Sequence, residues 1–382
     1  VKALVTGHCG FIGWHFKTRL EADGWDVDGC DIAATNARDA RDLFRHAVRR
    51  YDLAVHCAAV VGGRHTIENA PLDQAVNLEL DAGLFQWALR TRPGRVIYFS
   101  SSAVYPVDQQ SGIFRFPLTE DMIDLDVPRQ PDELYGWVKL TGERLACLAR
   151  REGVPVTVVR PFSGYGEHQD IDYPFGAFAD RARNREDPFT IWGDGYQARD
   201  FVHVDDVVDA TLAVAESGTE EPVNIGWGEP VTMMELAQRF TSAAGYTPGF
   251  KLKTTAPAGV SYRVADPARM RKFYQPRVTL DEGIRRALRG AELHEPAGVS
   301  YQPDLATARV AVRPLHRLGE GAGVFTHRAC DRLRRPRPGA GGTDRPDGDD
   351  GRLFADLRAD AAEPRPTVGD TRPAARPGTG HR

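Results

Sequence analysis

The N-terminal stretch "VKALVTGHCGFIGWHF" constrains the fold more than any other part of the chain. A Val-rich run ends at Gly7, and Gly10 and Gly13 follow at intervals of three as a helical pattern begins. A strand that turns at once into a helix needs small residues there, because the backbone doubles back and the helix packs closely on the strand. Free N–H groups at such a helix start, together with its dipole, favour an anion. The loop therefore predicts a dinucleotide pyrophosphate cradled by Gly7, Gly10 and Gly13, with Phe11 and Ile12 in the first helical turn completing the set.

Further along, "WDVDGCDI", "LAVHCAA", "RVIYFSS" and "VPVTVVRP" are short and mostly apolar, as strands covered on both faces are. Helical stretches such as 13–23 and 73–91 separate them. This alternation predicts an α/β fold, a Rossmann-type doubly wound parallel sheet, over residues 1–160. Gly, Pro and aromatic residues then break the rhythm, which predicts a smaller C-terminal α/β substrate domain over 161–290 that returns a strand or two to the main sheet. A cleft between the two parts is the expected ligand site. From 291 to 382 Arg, Pro, Gly, Ala and Asp dominate while Lys, Ile, Asn and Met vanish, so a disordered, low-complexity tail is expected there. The vanished types have AT-rich codons, the pattern of a GC-rich frame read out of register, which the coding DNA would test.

Lys and Arg number 49 against 53 Asp and Glu, with the signs mixed, so no basic stripe points to nucleic acid. No apolar run is long enough to span a bilayer and the first residues read as a strand, so no membrane partner and a cytoplasmic location are expected. Cys9, Cys30, Cys57, Cys147 and Cys330 are odd in number and lack CxxC spacing, which predicts neither a disulfide framework nor a metal site.

Asp31 closes the second predicted strand, eighteen residues beyond Gly13. A carboxylate there accepts both ribose hydroxyls and repels a 2′-phosphate, favouring NAD over NADP. Asp39, in "NARDARD", is placed near an adenine amine, and the small Ala58 and Ala59 let a cofactor lie across the strand ends. In "LYGWVKLTGERL", Tyr135 and Lys139 are four residues apart and share a helix face. That spacing alone leaves open whether they are a catalytic pair or two unrelated surface residues.

T-G-x-x-G-x-x-G, "HCAA", "SSSAVYP", Y-x-x-x-K, "RPFSGYG" and "RDFVHVDDVV" occur in this order over residues 1–290. The sequence thereby resembles the extended short-chain dehydrogenases/reductases that act on nucleotide sugars, nearest the branch of GDP-mannose 3,5-epimerase and GDP-fucose synthase. The resemblance implies a Rossmann domain for NAD(P), a small C-terminal domain for the sugar nucleotide, and a homodimer formed by two helices per subunit. It makes Tyr135 the base and Lys139 its activator and nicotinamide-ribose ligand, since a cation one turn away favours the phenolate. By the family's [ST]-x-x-V-Y spacing the hydroxyl-holding serine is Ser101, with Ser102 as the alternative.

The family's dehydratases carry an acidic pair where this chain has Ser102 and Ala103, and its decarboxylases a glutamate at Ala103. The 3,5-epimerases and fucose synthases place a cysteine at Ala103 and a Lys or His partner near Asp172; Asp172 or His168 alone cannot protonate both faces of a carbon. What remains needs only Ser, Tyr, Lys and NAD, and C4 epimerisation of a nucleotide-linked sugar is the favoured reaction. A ketoreductase or dehydrogenase is the chief alternative, then a dehydratase; a non-enzymatic NAD-binding regulator is the reading from another class. Arg199 resembles the family's diphosphate-binding arginine, its alternative being an ion pair with Asp200 or Asp205. Arg263 resembles a second such arginine, Ser163 stands where the family has asparagine, Trp192 is placed either to cover a base or to join the core, and His203 is expected to pack rather than react.

Overall fold

The computed structural model describes residues 1–62, 64–69, 71–111 and 115–290; the expected tail at 291–382 lies outside the described residues. Strands β1 (Lys2–Thr6), β2 (Asp26–Cys30), β3 (Leu53–His56), β4 (Arg95–Phe99) and β5 (Val156–Pro161) alternate with helices. These are α1 (Phe11–Ala22), α2 (Ala40–His46), α3 (Arg64–Asn69), α4 (Val76–Thr91) and α5 (Glu133–Arg151). The helix expected over 73–91 starts at Val76, because Pro71 opens a tight 3₁₀ turn, Pro71–Ala75, ahead of it.

The second half continues with β6 (Ser163–Tyr165), α6 (Pro174–Arg183), β7 (Phe189–Trp192), β8 (Ala198–Arg199) and β9 (Phe201–His203). It ends with α7 (Val204–Ser217), β10 (Val223–Ile225), β11 (Val231–Thr232), α8 (Met233–Ala243), β12 (Phe250–Lys253), β13 (Tyr262–Arg263) and α9 (Leu280–Arg289). The main sheet is parallel throughout, in the order β10-β5-β4-β3-β1-β2, so β10 returns to it from the later part of the chain.

Alternate residues of each strand feed opposite layers. Leu4, Ala54, Val96 and Tyr98 pack with Phe44, Trp87 and Ala146 on one face, while Ala3, Val5, Val55 and Ile97 pack with Phe16, Leu20, Val207 and Val214 on the other. β2 is less apolar than its neighbours because it is the sheet edge. A further core of Phe175, Phe178, Phe189, Leu236, Phe240 and Ile284 joins α6, α8 and α9. The chain runs from β1 to β2 on one side and then crosses to β3 on the other. The strand ends therefore splay between β1 and β3, where open α/β sheets take their ligands.

Candidate functional site

Gly7 and Gly13 are required by contact at that crevice. Gly7, at φ +72°, lies so close to β3 that a Cβ would fall 2.6 Å from the Ala58 nitrogen, and a Cβ on Gly13 would fall 2.1 Å from the Gly7 carbonyl. α1 consequently begins hard against β1, and its N-cap, Gly10, supplies no side chain to the first-turn N–H groups. Those donors remain available to an anion. Asp31 accepts from Cys9 N at 2.9 Å and from Ala33 N at 2.8 Å, one bond per oxygen, leaving lone pairs for ribose hydroxyls. Ala58 donates its N–H to Thr6 Oγ1, and Ala59 follows it at the crevice. Asp39 caps α2 through Arg41 N and also holds the Arg41 guanidinium, so most of its acceptor capacity is used within the chain.

His8, Cys9 and Asp31 come within 4.8 Å of one another. Burial, and then the Asp31 charge, push the Cys9 thiol pKa up, which disfavours the thiolate that a metal would need.

Tyr135 and Lys139 are not two surface residues. Tyr135 is half-buried and Lys139 only 4% exposed, on the face α5 turns toward the sheet. The Lys139 ammonium lies 5.2 Å from the Tyr98 ring centre and 6.0 Å from that of Tyr135. Tyr98 donates to Asp81 at 2.6 Å, His56 Nε2 lies 3.4 Å from Asp81, and His56 Nδ1 is 2.8 Å from Thr6 Oγ1. Burial opposes ionisation of Asp81, yet Lys139, His56 and Tyr98 together hold its pKa below the usual carboxylate range. A buried polar chain thus runs from the residue before Gly7 to the lysine of α5.

One turn beyond Lys139, Glu143 accepts a bidentate pair from buried Arg160 at 2.8 and 2.7 Å and a third bond from Ser100. Ser100 is therefore committed to fixing α5 to β4 and β5. Ser101 caps the following 3₁₀ turn by accepting from Ala103 N at 3.1 Å and keeps its own proton to donate. Ser102 is buried on the same turn beside the methyl of Ala103.

Arg199 and Arg263 are in-register partners on β8 and β13. Arg199 pairs with neither Asp200 nor Asp205; it donates to the carbonyls of Ala198 and Ala258. Burial, and next the Arg263 charge, lower its pKa, only partly offset by the Asp132 carboxylate. Arg263 donates to Asp132 at 2.8 Å and to Gln110 at 2.5 Å. Asp200 is instead a structural clamp for the N–H groups of Trp227, Gly228 and Ala265. His203 is fully buried against Glu167, as packing required. Ser163 lies on β6, and Trp192 is partly exposed under the Lys253 ammonium.

The model of the NAD dependent epimerase/dehydratase family matches residues 3–226. The chain belongs to that family. A dTDP-4-dehydro-6-deoxy-D-allose reductase of Streptomyces bikiniensis is 30% identical, over 70% of this chain and 88% of that protein. GDP-mannose 3,5-epimerase 1 of Oryza sativa subsp. japonica is 28% identical, over 75% and 80%. A UDP-glucose 4-epimerase of Thermotoga maritima, solved with UDP-glucose, is 26% identical with a TM-score of 0.67, covering 76% of this chain and 99% of that one.

As a member of the NAD dependent epimerase/dehydratase family the protein is an enzyme, and NAD is its cofactor. The glycine crevice fits it, since the space beside Gly7 and the open N-terminus of α1 are what a pyrophosphate needs. No helix among the described residues is long and apolar enough to cross a membrane.

Several residues that build the site escaped the sequence reading. Asp81, Glu143 and Arg160 look like ordinary helix and strand residues until their burial is known. Arg64 and Asp132 had a faint signal, since Arg64 directly follows the glycines of "AAVVGGR" and Asp132 stands three residues before Tyr135.

Proposed function

We propose that the protein is an NAD-dependent nucleotide-sugar epimerase that inverts C4 through a transient 4-keto sugar. The observation that carries this reading is a buried ammonium beneath a half-buried phenol, beside a serine turn that offers no further acid or base. Lys139 favours the phenolate of Tyr135, which takes the proton of the sugar hydroxyl and later returns it. Ser101, with Ser102 as the alternative, donates to the oxygen on which charge develops. Bound NAD supplies a reversible hydride acceptor. Arg199 and Arg263 hold the diphosphate, with Ser163 and Trp192 toward the nucleotide side. Inversion then follows when the planar ketone turns over before the carbon is reduced again, with no net redox change.

Ala103, buried at the position where other members of this resemblance carry an acidic residue or cysteine, removes the second proton-transfer group that dehydration or 3,5-epimerisation demands. A 4-ketoreductase is the second reading. It needs the same Ser, Tyr and Lys, and the Streptomyces bikiniensis relative bears that kind of name at 30% identity. Incubating the purified protein with UDP-, GDP- and dTDP-sugars, while following absorbance of the reduced cofactor and product NMR, tests both. An inverted C4 without net reduced cofactor supports the epimerase; stoichiometric NADH consumption with a keto sugar supports the reductase; neither sinks both.

A further inference from the structure

We propose that Arg64 is a third arginine of the diphosphate site, held in place by Asp132 so that Arg64, Arg199 and Arg263 present one cationic surface to a nucleoside diphosphate. The inference rests on the sugar-nucleotide reading above and adds a residue and a positioning device to it.

Arg64 opens α3, which follows β3 of the main sheet, whereas Arg199 and Arg263 sit side by side on β8 and β13. Arg64 Nη1 donates to both oxygens of Asp132 at 2.8 and 2.9 Å, and its Nε donates to Glu68 at 2.5 Å. Arg263 takes the same Asp132 at 2.8 Å. One carboxylate therefore spans two guanidiniums that would otherwise repel. Although burial opposes it, their charges hold the Asp132 pKa below the usual carboxylate range.

A backbone turn ties Arg64 to the third cation. Ala258 O accepts from Arg199 at 3.1 Å, and the next residue is Gly259 at φ +68°. A Cβ there would stand 3.2 Å from Arg64 Nε and 3.3 Å from its Cδ and Cζ, so the Arg64 side chain runs along bare backbone. Arg64 and Arg199 share this turn, and Arg64 and Arg263 share one buried carboxylate, Asp132, with the outer, more exposed Glu68 taken by Arg64. Among the described residues Arg199 donates only to carbonyls, and Arg64 directs its Nε and Nη1 to carboxylates. Paired phosphates match this pattern better than a single carboxylate does, because guanidiniums on three separate elements can meet acceptors spaced over two anionic centres.

Asp132 also joins this cluster to the catalytic helix. It is the N-cap residue of α5, yet its side chain makes no capping bond because it is turned to the arginines. Its N–H donates to Ala103 O at 2.9 Å on the serine turn, and Tyr135 lies three residues on. Asp132 is thus a positioning residue between the anion-binding arginines and the Ser–Tyr arrangement.

Calorimetry with NAD-loaded protein tests this, using UDP, GDP and dTDP against UMP, GMP and dTMP. The parent protein is expected to prefer one diphosphate, and Arg64→Gln to weaken that diphosphate by roughly 10- to 100-fold, the loss of a charge-assisted hydrogen bond. The corresponding monophosphate should lose far less, NAD content should be unchanged, and KM for the sugar nucleotide should rise more than kcat falls. Arg64→Lys keeps the charge and loses the planar fork, so an intermediate loss is expected, and it serves if Arg64→Gln fails to fold. Arg199→Gln is the control. If Arg199→Gln loses the diphosphate while either Arg64 variant binds it within twofold of the parent, Arg64 is only a structural ion pair and the inference is overturned alone. If the parent binds no nucleoside diphosphate at all, the sugar-nucleotide reading falls as well.

Discussion

The hydroxyl of Tyr98 stands 1.7 Å from where a Cβ on Gly142 would lie, so the two residues face each other only because position 142 has no side chain. This contact sets the phenol of β4 against α5 one turn past Lys139, where it donates to Asp81 and presents its ring beneath the ammonium. The lysine of α5 therefore rests on a floor made by the sheet.

Replacing Gly142 by Ala forces Tyr98 and Asp81 away from α5. Overpacking of this kind costs about 1–3 kcal/mol. The expected outcome is a lowered melting temperature, and in the folded fraction a kcat at least tenfold lower with little change in KM. A variant that folds and turns over like the parent would show that the Tyr98 contact does not place Lys139.

Tyr135→Phe removes the proton acceptor while leaving the ring and Lys139. General acid–base groups contribute about 10²–10⁴ in rate, so kcat should fall by that factor with cofactor content and fold retained. Ser101→Ala and Ser102→Ala separate the two hydroxyls. Ser101, which keeps its proton while accepting from Ala103 N, is expected to give the larger loss of kcat. The reverse order would transfer the role to Ser102.

The parts of this architecture legible beforehand are those in which backbone geometry and residue type are tied together. Gly7 and Gly13 announce a strand–turn–helix because no other residue fits their contacts, and five Val-rich runs became five neighbouring parallel strands. Lys139 was legible as a partner of Tyr135 only through the ordered motifs around them, since helical spacing alone left their roles open. Its burial over Tyr98 was not, because Tyr98 lies on β4 and Asp81 on α4, and nothing local in the sequence encodes their meeting. Arg64 and Asp132 are 68 positions apart, and a long-range ion pair between residues at the starts of two helices leaves no periodicity. Asp39 shows the opposite limit: its motif pointed to adenine, and local chemistry spends most of its acceptors on Arg41.

Cofactor choice is predicted to follow Asp31. The carboxylate also anchors Cys9 N, so any substitution weakens binding of both dinucleotides, but only NADP carries the 2′-phosphate that the charge repels. In Asp31→Ala, the ratio of NAD to NADP affinity should therefore drop at least tenfold, whatever happens to each affinity separately. An unchanged ratio, measured by titrating both dinucleotides into cofactor-stripped protein, would place the adenosine ribose away from Asp31.

Asp200 makes a stability prediction with a definite sign. Burial pushes its pKa up to about 6, only partly countered by the N–H groups of Ala265, Gly228 and Trp227. Its unfolded pKa is about 3.9. The folded state therefore holds this proton more tightly than the unfolded state, and stability attributable to Asp200 is fully present below pH about 4 and is lost as pH rises through about 6. The full difference corresponds to about 3 kcal/mol. Asp200→Asn is neutral at every pH and leaves at least one of the three N–H groups without its acceptor, so it should be destabilising where Asp200 is protonated. Because all other titrating groups are common to both proteins, the stability gap between parent and variant isolates this residue. Denaturant unfolding at pH 4.5 and pH 7.5 should show the gap narrowing at the higher pH, and a gap that widened would mean that Asp200 is held as a well-solvated anion by its backbone donors.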